Sequence, residues 1–172
     1  MIYNITKKQN NSDMCFVCGI HNDAGLNIKY YELENKHLIG VFKGHDVHQS
    51  YPQRMHGGIT SALLDETIGR AVQILNTDIW GVTVELNVKF LKPVPLDQEL
   101  YVVGHITNLR KRLFEGAGYI CDMNKNILAT ATGKYFIKHV DQIVDDIDFV
   151  REQWIYVEDD EDSSDKSFDL PL

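Results

Sequence analysis

A carboxylate lies inside an apolar stretch of this sequence. Asp65 follows Leu63 and Leu64 in a segment whose apolar residues recur at helical spacing. An unpaired carboxylate is costly in such surroundings, and groups placed this way are candidates for functional sites. An Asp of this kind can act as a general base or as a nucleophile. We therefore expect Asp65 to be catalytic and Glu66 to be a salt-bridge or rim residue, with Glu66 as the reserve carboxylate.

Two glycines stand at the start of the same segment, in His56-Gly57-Gly58. Glycine lets another molecule approach the backbone, and the free N–H groups at a helix start attract a developing oxyanion. We expect the Gly58 N–H to polarise a substrate carbonyl. Asp65 stands seven residues later, which is roughly 10 Å along a helix axis. Because that is too far for both to act on one carbonyl, we expect a two-fold dimer that brings Asp65 near the partner's helix start.

The periodicity around these residues indicates an α+β fold. A long helix, apolar on most sides, is predicted over 59–76, and strict alternation over 82–90 then indicates a half-buried strand. Because the helix must be buried, we expect an antiparallel sheet to wrap around it in the hot-dog arrangement. The other predicted strands cover 26–33, 37–43, 99–108, 113–122 and 127–139.

These motifs resemble those of a known family. His56-Gly57-Gly58 followed by Leu63-Leu64-Asp65-Glu66 resembles the PaaI-type branch of the hot-dog-fold thioesterases. Cys15-Phe16-Val17-Cys18-Gly19 and Gly25-Leu26 are similar to the lead-in of that group, and the resemblance covers about residues 15–139. It implies that the glycine at the helix start is the oxyanion donor and that Asp65 is the base or nucleophile. It also implies a site shared between subunits.

Further site residues follow from the same resemblance. A hydroxyl residue on the strand after the helix helps to place water or the carboxylate, and this position is Thr83, although its alternative explanation is simple β-propensity. An amide residue ahead of the glycines has Gln49 and Ser50 as its counterparts. His56 either orients substrate or hydrogen-bonds the loop, and we favour the loop role. We expect His56, Gly57, Gln49 and Ser50 to form the substrate-binding part of the site.

The resemblance implies hydrolysis of an acyl-CoA or related pantetheine thioester to a free acid and a thiol, with no metal or cofactor. A hot-dog 3-hydroxyacyl-thioester dehydratase is one alternative, since His56 with Asp65 or Glu66 would imitate its acid–base pair. A non-catalytic acyl-CoA sensor is another. No G-x-S-x-G or phosphate-binding glycine motif occurs, which argues against a serine triad and nucleotide chemistry.

A zinc site is a weaker possibility. Cys15 and Cys18, together with His45 and His48, supply zinc-ligand types, but one pair of each is a weak pattern. Two buried, reduced cysteines are the preferred interpretation. The cluster Arg110-Lys111-Arg112 is expected to be solvated, and the residues that hold CoA phosphates are not assigned.

Charge divides the chain into segments. After position 140 twelve acidic residues face two basic ones, whereas the first 140 residues hold thirteen acids and fifteen Lys plus Arg. No concentrated basic patch argues for nucleic-acid binding. We expect a soluble cytoplasmic protein that does not bind membranes and forms a homodimer or a dimer of dimers. The expected segments are a flexible lead-in (1–14), the hot-dog domain (15–140), a docking helix (141–157) and an acidic disordered tail (158–172).

Overall fold

A computed structural model describes residues 1–159 and 167–171, and this part of the chain contains ten strands and two α-helices. The strands are β1 (Ile2–Lys8), β2 (Asn11–Ser12), β3 (Lys29–Leu33), β4 (Leu38–Lys43), β5 (Ile79–Phe90), β6 (Glu99–Leu109), β7 (Leu113–Asp122), β8 (Ile127–His139), β9 (Trp154–Ile155) and β10 (Ser167–Asp169). The helices are α1 (Gly57–Arg70) and α2 (Ile147–Glu152). Short 3-10 turns occupy Asp46–His48, Ala71–Ile74 and Val140–Gln142.

One large antiparallel sheet surrounds helix α1. The eight strands follow the order β10-β1-β3-β4-β6-β7-β8-β5, and β2 and β9 pair separately. Strands β4 to β8 all contact α1, whose side chains Leu63, Leu64 and Ile68 are fully buried. The hot-dog fold predicted from the sequence is therefore confirmed. The helix begins two residues earlier than predicted, at Gly57, and its last predicted turn is the 3-10 segment Ala71–Ile74.

Helix α1 touches strand β6 backbone to backbone at Gly104. A Cβ atom at Gly104 would lie 2.8 Å from the carbonyl oxygen of Thr67 and 3.1 Å from the Cα atom of Ile68. Backbone atoms of a packed helix cannot move aside as a flexible side chain can. Glycine at this position therefore sets how closely the helix lies on the sheet.

Replacing Gly104 by Val is expected to lower the free energy of unfolding by about 1–3 kcal/mol or more, because the added carbons overpack the contact between α1 and β6. Urea denaturation followed by circular dichroism measures this change. Gly57→Ala is the matched control, because its Cβ atom meets only ring atoms of Phe90, at 3.5 Å. Equal stability of the Gly104→Val protein and the wild type would show that the helix has room to move.

The N-terminal segment differs from its prediction. Residues 1–14 were expected to be a flexible lead-in, but β1 pairs with both β3 and β10 in the main sheet. Tyr3 and Ile5 pack on a second apolar cluster outside the helix-facing core. That cluster contains Tyr31, Leu33, Ile39, Val103, Phe168 and Leu170. Only two apolar side chains make this contact, so the Asn-rich composition concealed the strand.

The C-terminal segment differs as well. The helix expected over 141–157 is reduced to α2, and β9 follows it, with Trp154 packed on Trp80 at 5.2 Å between ring centroids. The disordered tail was expected over 158–172, of which 160–166 and 172 lie outside the described residues. In the described part, β10 pairs with β1, and Phe168 and Leu170 are buried. These two apolar side chains explain why residues 167–171 pack. Among the described helices, none has the length and apolar character to span a membrane.

Candidate active site

Asp65 is held by two hydroxyl groups. Its Oδ1 atom accepts a hydrogen bond of 2.9 Å from the Thr83 hydroxyl and one of 3.2 Å from the Tyr135 hydroxyl. Asp65 lies half-buried on α1, Thr83 is exposed on β5, and Tyr135 is buried on β8. The structure therefore brings together the two residues that the sequence singled out, Asp65 and Thr83, and adds Tyr135.

Two glycines allow α1 to reach the beginning of β5. A Cβ atom at Gly81 would lie 2.6 Å from the carbonyl oxygen of Gly69 and 2.8 Å from the ring of Phe114. Such a contact is possible only where no side chain intervenes. The β5 register also shifts just after Thr83, between Thr83 and Glu85. The close approach of helix and strand brings Asp65 within hydrogen-bonding distance of Thr83.

Tyr135 was not identified from the sequence. It occupies one position in the alternating pattern of β8, and an aromatic residue at such a position is normally expected to be a core residue. Its ring stacks on Phe114 at 5.0 Å between centroids. Burial, together with the neighbouring Asp65 carboxylate, raises the pKa of Tyr135 well above its usual value. The phenol therefore stays protonated and donates to Asp65.

If Asp65 acts in the thioester hydrolysis expected from the sequence, Tyr135→Phe should lower kcat about tenfold, because it removes one hydrogen bond to a charged group while the ring still packs on Phe114. Steady-state kinetics on an acyl-CoA, with a parallel thermal unfolding curve, measures this effect. Phe114→Leu is the control, because it disturbs the packing of the two stacked rings and keeps the Tyr135 hydroxyl. If Phe114→Leu and Tyr135→Phe lower kcat equally, the Tyr135 hydroxyl has no role of its own.

The start of α1 is capped by His56. The Nδ1 atom of His56 accepts a hydrogen bond of 2.9 Å from the Gly58 N–H, and the carbonyl oxygen of His56 accepts from the N–H groups of Ile59 and Thr60. The Gly58 N–H, expected to be the oxyanion donor, is thus already bonded within the chain. The Gly57 N–H has no acceptor among the described residues. Of the two glycine N–H groups, that of Gly57 is therefore the one left open at the helix start, and the His56 side chain bonds the Gly58 N–H.

Gln49 and Ser50 belong to the loop that leads to α1. The Oε1 atom of Gln49 accepts from the backbone N–H of Gln53 at 2.8 Å, and the Ser50 N–H donates to the Arg54 carbonyl at 2.9 Å. Both residues are exposed, and neither lines the cavity beside Asp65. The structure therefore does not bring them to the carboxylate of the same chain.

Glu66 has a separate partner. Its Oε1 atom lies 3.4 Å from Nη1 of Arg70, an ion pair one helical turn away. The Arg70 guanidinium is buried between the rings of Tyr30 and Trp154, at 4.7 and 4.6 Å from their centroids. Glu66 thus forms the salt bridge that was expected for it. Arg70 was missed because its partners come from distant parts of the sequence.

A cavity of about 200 Å³ lies beside Asp65. Its size suits part of a ligand, such as the region around a reacting carbonyl. The cavity is lined by Ser12, Cys15, Cys18, Asp65, Glu66, Gly69, Arg70, Gln73, Trp80, Gly81, Thr83 and Trp154.

The zinc alternative with His48 is not supported, because both ring nitrogens of His48 are hydrogen-bonded. Nδ1 accepts from the His45 N–H and Nε2 donates to the Ala24 carbonyl, both at 3.0 Å.

An antiparallel sheet wrapped around one helix, with a supported carboxylate on that helix, defines a hot-dog protein with a carboxylate site. Residues 53–122 match the family model of the thioesterase superfamily, and this range contains both Asp65 and Thr83. This part of the chain, somewhat less than half of it, is thus similar to the thioesterase superfamily.

Two curated proteins are similar to parts of this chain. Acyl-coenzyme A thioesterase 13 of Mus musculus is 28% identical over 76 residues, which cover 44% of this chain and 54% of that protein. Acyl-coenzyme A thioesterase THEM4 of Bos taurus is 28% identical over 120 residues, 67% of this chain and 48% of that protein. The chain thus spans about half the length of these curated relatives.

A solved structure shares the fold. It is the crystal structure of a hypothetical thioesterase from Streptococcus pneumoniae with coenzyme A. The match has a TM-score of 0.55 and 22% identity, and it covers 60% of this chain and 82% of that chain.

Proposed function

We propose that this protein hydrolyses an acyl-CoA or related pantetheine thioester to a free acid and a thiol, with Asp65 as the catalytic carboxylate. The observation that carries the proposal is the position of Asp65, with Oδ1 held by Thr83 and Tyr135 at the wall of a cavity. The names of the curated relatives and the coenzyme A in the Streptococcus pneumoniae structure support the same substrate class.

The two carboxylate oxygens have different roles in this mechanism. Oδ1 is fixed by two donors, whereas Oδ2 accepts no hydrogen bond from the described residues. Oδ2 is therefore available to take a proton from water or to attack the thioester carbon and form an anhydride that water opens. The Gly57 N–H at the helix start stabilises the oxyanion. In either route the first tetrahedral intermediate breaks its C–S bond and expels the thiolate, which in the nucleophilic route forms the anhydride before water opens it, and no metal or cofactor is needed.

The site is completed by a second copy of the chain. Asp65 and Gly57 are about 12 Å apart along α1, too far to meet at one carbonyl. Strand β5 carries Thr83, lies at an edge of the sheet and exposes Val82 and Val84. A long apolar edge strand is a ready surface for pairing with another strand. Pairing of β5 with the partner's β5 would place the partner's helix start near Asp65.

Val84→Lys is expected to turn the assembled protein into monomers and to abolish hydrolysis, because it places a charge on the edge that pairs. Light scattering coupled to gel filtration measures the mass, and thiol release measures the activity. Val47→Lys is the matched control, since Val47 is more exposed and lies in the 3-10 turn Asp46–His48, away from β5. An active Val84→Lys monomer would contradict the shared site.

The test of the function is product analysis with short, medium, long and aromatic acyl-CoAs. Hydrolysis gives free acid and thiol in equal amounts, and the rates across the set reveal the acyl preference. Binding of acyl-CoA without thiol release would instead identify a sensor. Water addition to an enoyl-CoA without thiol release would identify the dehydratase, and either result would replace the proposal.

A further inference from the structure

Two cysteines lie side by side in the wall of the Asp65 cavity. The Sγ atoms of Cys15 and Cys18 and a carboxylate oxygen of Glu66 all lie within 4.8 Å of one another. Both thiols are free, with Cys15 half-buried and Cys18 buried. The proposed hydrolysis uses neither of them.

The turn that carries the two thiols is held firmly by the backbone. The Gly19 N–H donates to the Cys15 carbonyl at 2.7 Å, and a Cβ atom at Gly19 would lie only 2.3 Å from that oxygen. The Asn11 side chain donates to the Cys18 carbonyl, also at 2.7 Å. Because glycine is required at position 19 and both ends of the turn are bonded, the two sulfur atoms are kept close together.

The surroundings of the pair distinguish its two thiols. Nη1 of the buried Arg70 donates to the Cys18 sulfur at 3.2 Å, and the Val17 N–H donates to the Cys15 sulfur at 3.4 Å. A hydrogen bond from the Cys18 thiol lowers the pKa of Cys15 to about 7, although burial opposes this effect. The same hydrogen bond and burial raise the pKa of Cys18. Cys15 is therefore the nucleophile, and Cys18 keeps its proton until a later step.

We propose that Cys15 and Cys18 form a redox-active dithiol, which a low-molecular-weight disulfide such as glutathione disulfide oxidises to an intramolecular disulfide. The Cys15 thiolate attacks one sulfur of glutathione disulfide, the S–S bond breaks, and glutathione thiolate leaves with the electron pair. Cys18 then loses its proton and attacks the Cys15 sulfur, which releases a second glutathione. The dithiol loses two electrons and two protons, and glutathione disulfide gains them.

The position of Arg70 favours this chemistry over metal binding. Its Nη1 atom lies 3.2 Å from the Cys18 sulfur and 3.4 Å from Glu66 Oε1. A guanidinium at this distance from two of the three potential ligands repels a cation. The proposal does not depend on hydrolysis, because it concerns the thiols themselves.

The test is oxidation of the purified full-length protein by excess glutathione disulfide without oxygen, followed by acid quenching, alkylation of remaining thiols, intact mass and peptide mapping. The wild type should lose two alkylatable thiols and gain a Cys15–Cys18 disulfide. Cys18→Ser should stop as a glutathione adduct on Cys15, and Cys15→Ser should react far more slowly. Cys121→Ser is the matched control and should behave as the wild type, because Cys121 is buried in β7.

Three outcomes would overturn the proposal. The first is a wild type that keeps both thiols alkylatable under conditions in which free cysteine is oxidised. The second is a Cys15→Ser protein that forms the adduct on Cys18 faster than Cys18→Ser forms it on Cys15. The third is purified protein that carries one zinc ion per chain and releases it when Cys15 and Cys18 are modified, which would make the pair a metal site. If a serine variant does not fold, the presence or absence of the Cys15–Cys18 disulfide in the oxidised wild type still tests the proposal.

Discussion

Asp65→Asn is expected to lower kcat for thioester hydrolysis by at least about a hundredfold, because the amide can neither accept a proton from water nor attack the thioester carbon. The amide oxygen still accepts hydrogen bonds from Thr83 and Tyr135, so the fold and the affinity for acyl-CoA should change little. Thiol release measures kcat, and calorimetric titration with a non-hydrolysable acyl-CoA analogue measures binding. A loss confined to kcat would show that the carboxylate acts in the chemical step.

Glu66→Gln is the matched control for this experiment. Glu66 is the next residue on α1, and its carboxylate pairs with Arg70 rather than with Thr83 and Tyr135. Its kcat should therefore fall far less than that of Asp65→Asn. If Glu66→Gln loses as much activity as Asp65→Asn, or if Asp65→Asn retains most of its activity, then Asp65 is not the catalytic carboxylate.

Gly57→Pro is expected to lower kcat by about 10²–10³-fold, the usual cost of removing one oxyanion donor. Proline removes the N–H group and is tolerated at the first position of a helix. His56 already has φ −64° and ψ 136°, the extended conformation that a residue before proline adopts. The helix start should therefore survive this substitution, and circular dichroism and the melting temperature check that it does.

Gly57→Ala separates the N–H group from the size of the residue. Alanine keeps the N–H group and adds a Cβ atom that meets only the Phe90 ring, at ordinary contact distance. Gly57→Ala should therefore keep far more activity than Gly57→Pro. Full activity of Gly57→Pro would indicate that the Gly58 N–H is the oxyanion donor. The hydrogen bond from this N–H to His56 would then have to break during the reaction.

The elements with a clear period could be predicted from the sequence. Helix α1 and strands β3 to β8 were located because buried helices and half-buried strands leave different patterns. Strands β1 and β10 were missed because few apolar residues mark them and because each is stabilised by a partner far away in the chain, including Phe168 and Leu170. Pairing between the two ends of a chain leaves no local signal.

Part of the candidate site could also be predicted from the sequence. Asp65 stands out because it interrupts an apolar helix, whereas Thr83 was placed by the resemblance to a known family, and the structure joins the two. Tyr135 could not be found, because its hydroxyl matters only through a contact 70 residues away. The choice between Gly57 and Gly58 depended on the cap, and His56 is not among the residue types that usually cap a helix.

Mixing two inactive variants tests the shared site most directly. Asp65→Asn and Gly57→Pro proteins would be unfolded together, refolded together and assayed for thiol release, beside each variant refolded alone. In a two-fold dimer that takes Asp65 from one subunit and Gly57 from the other, each mixed dimer has one intact site. Random assembly should then restore about a quarter of wild-type activity. If the mixture is no more active than the separate variants although mixed dimers have formed, the site lies within one chain and the proposed mechanism is wrong.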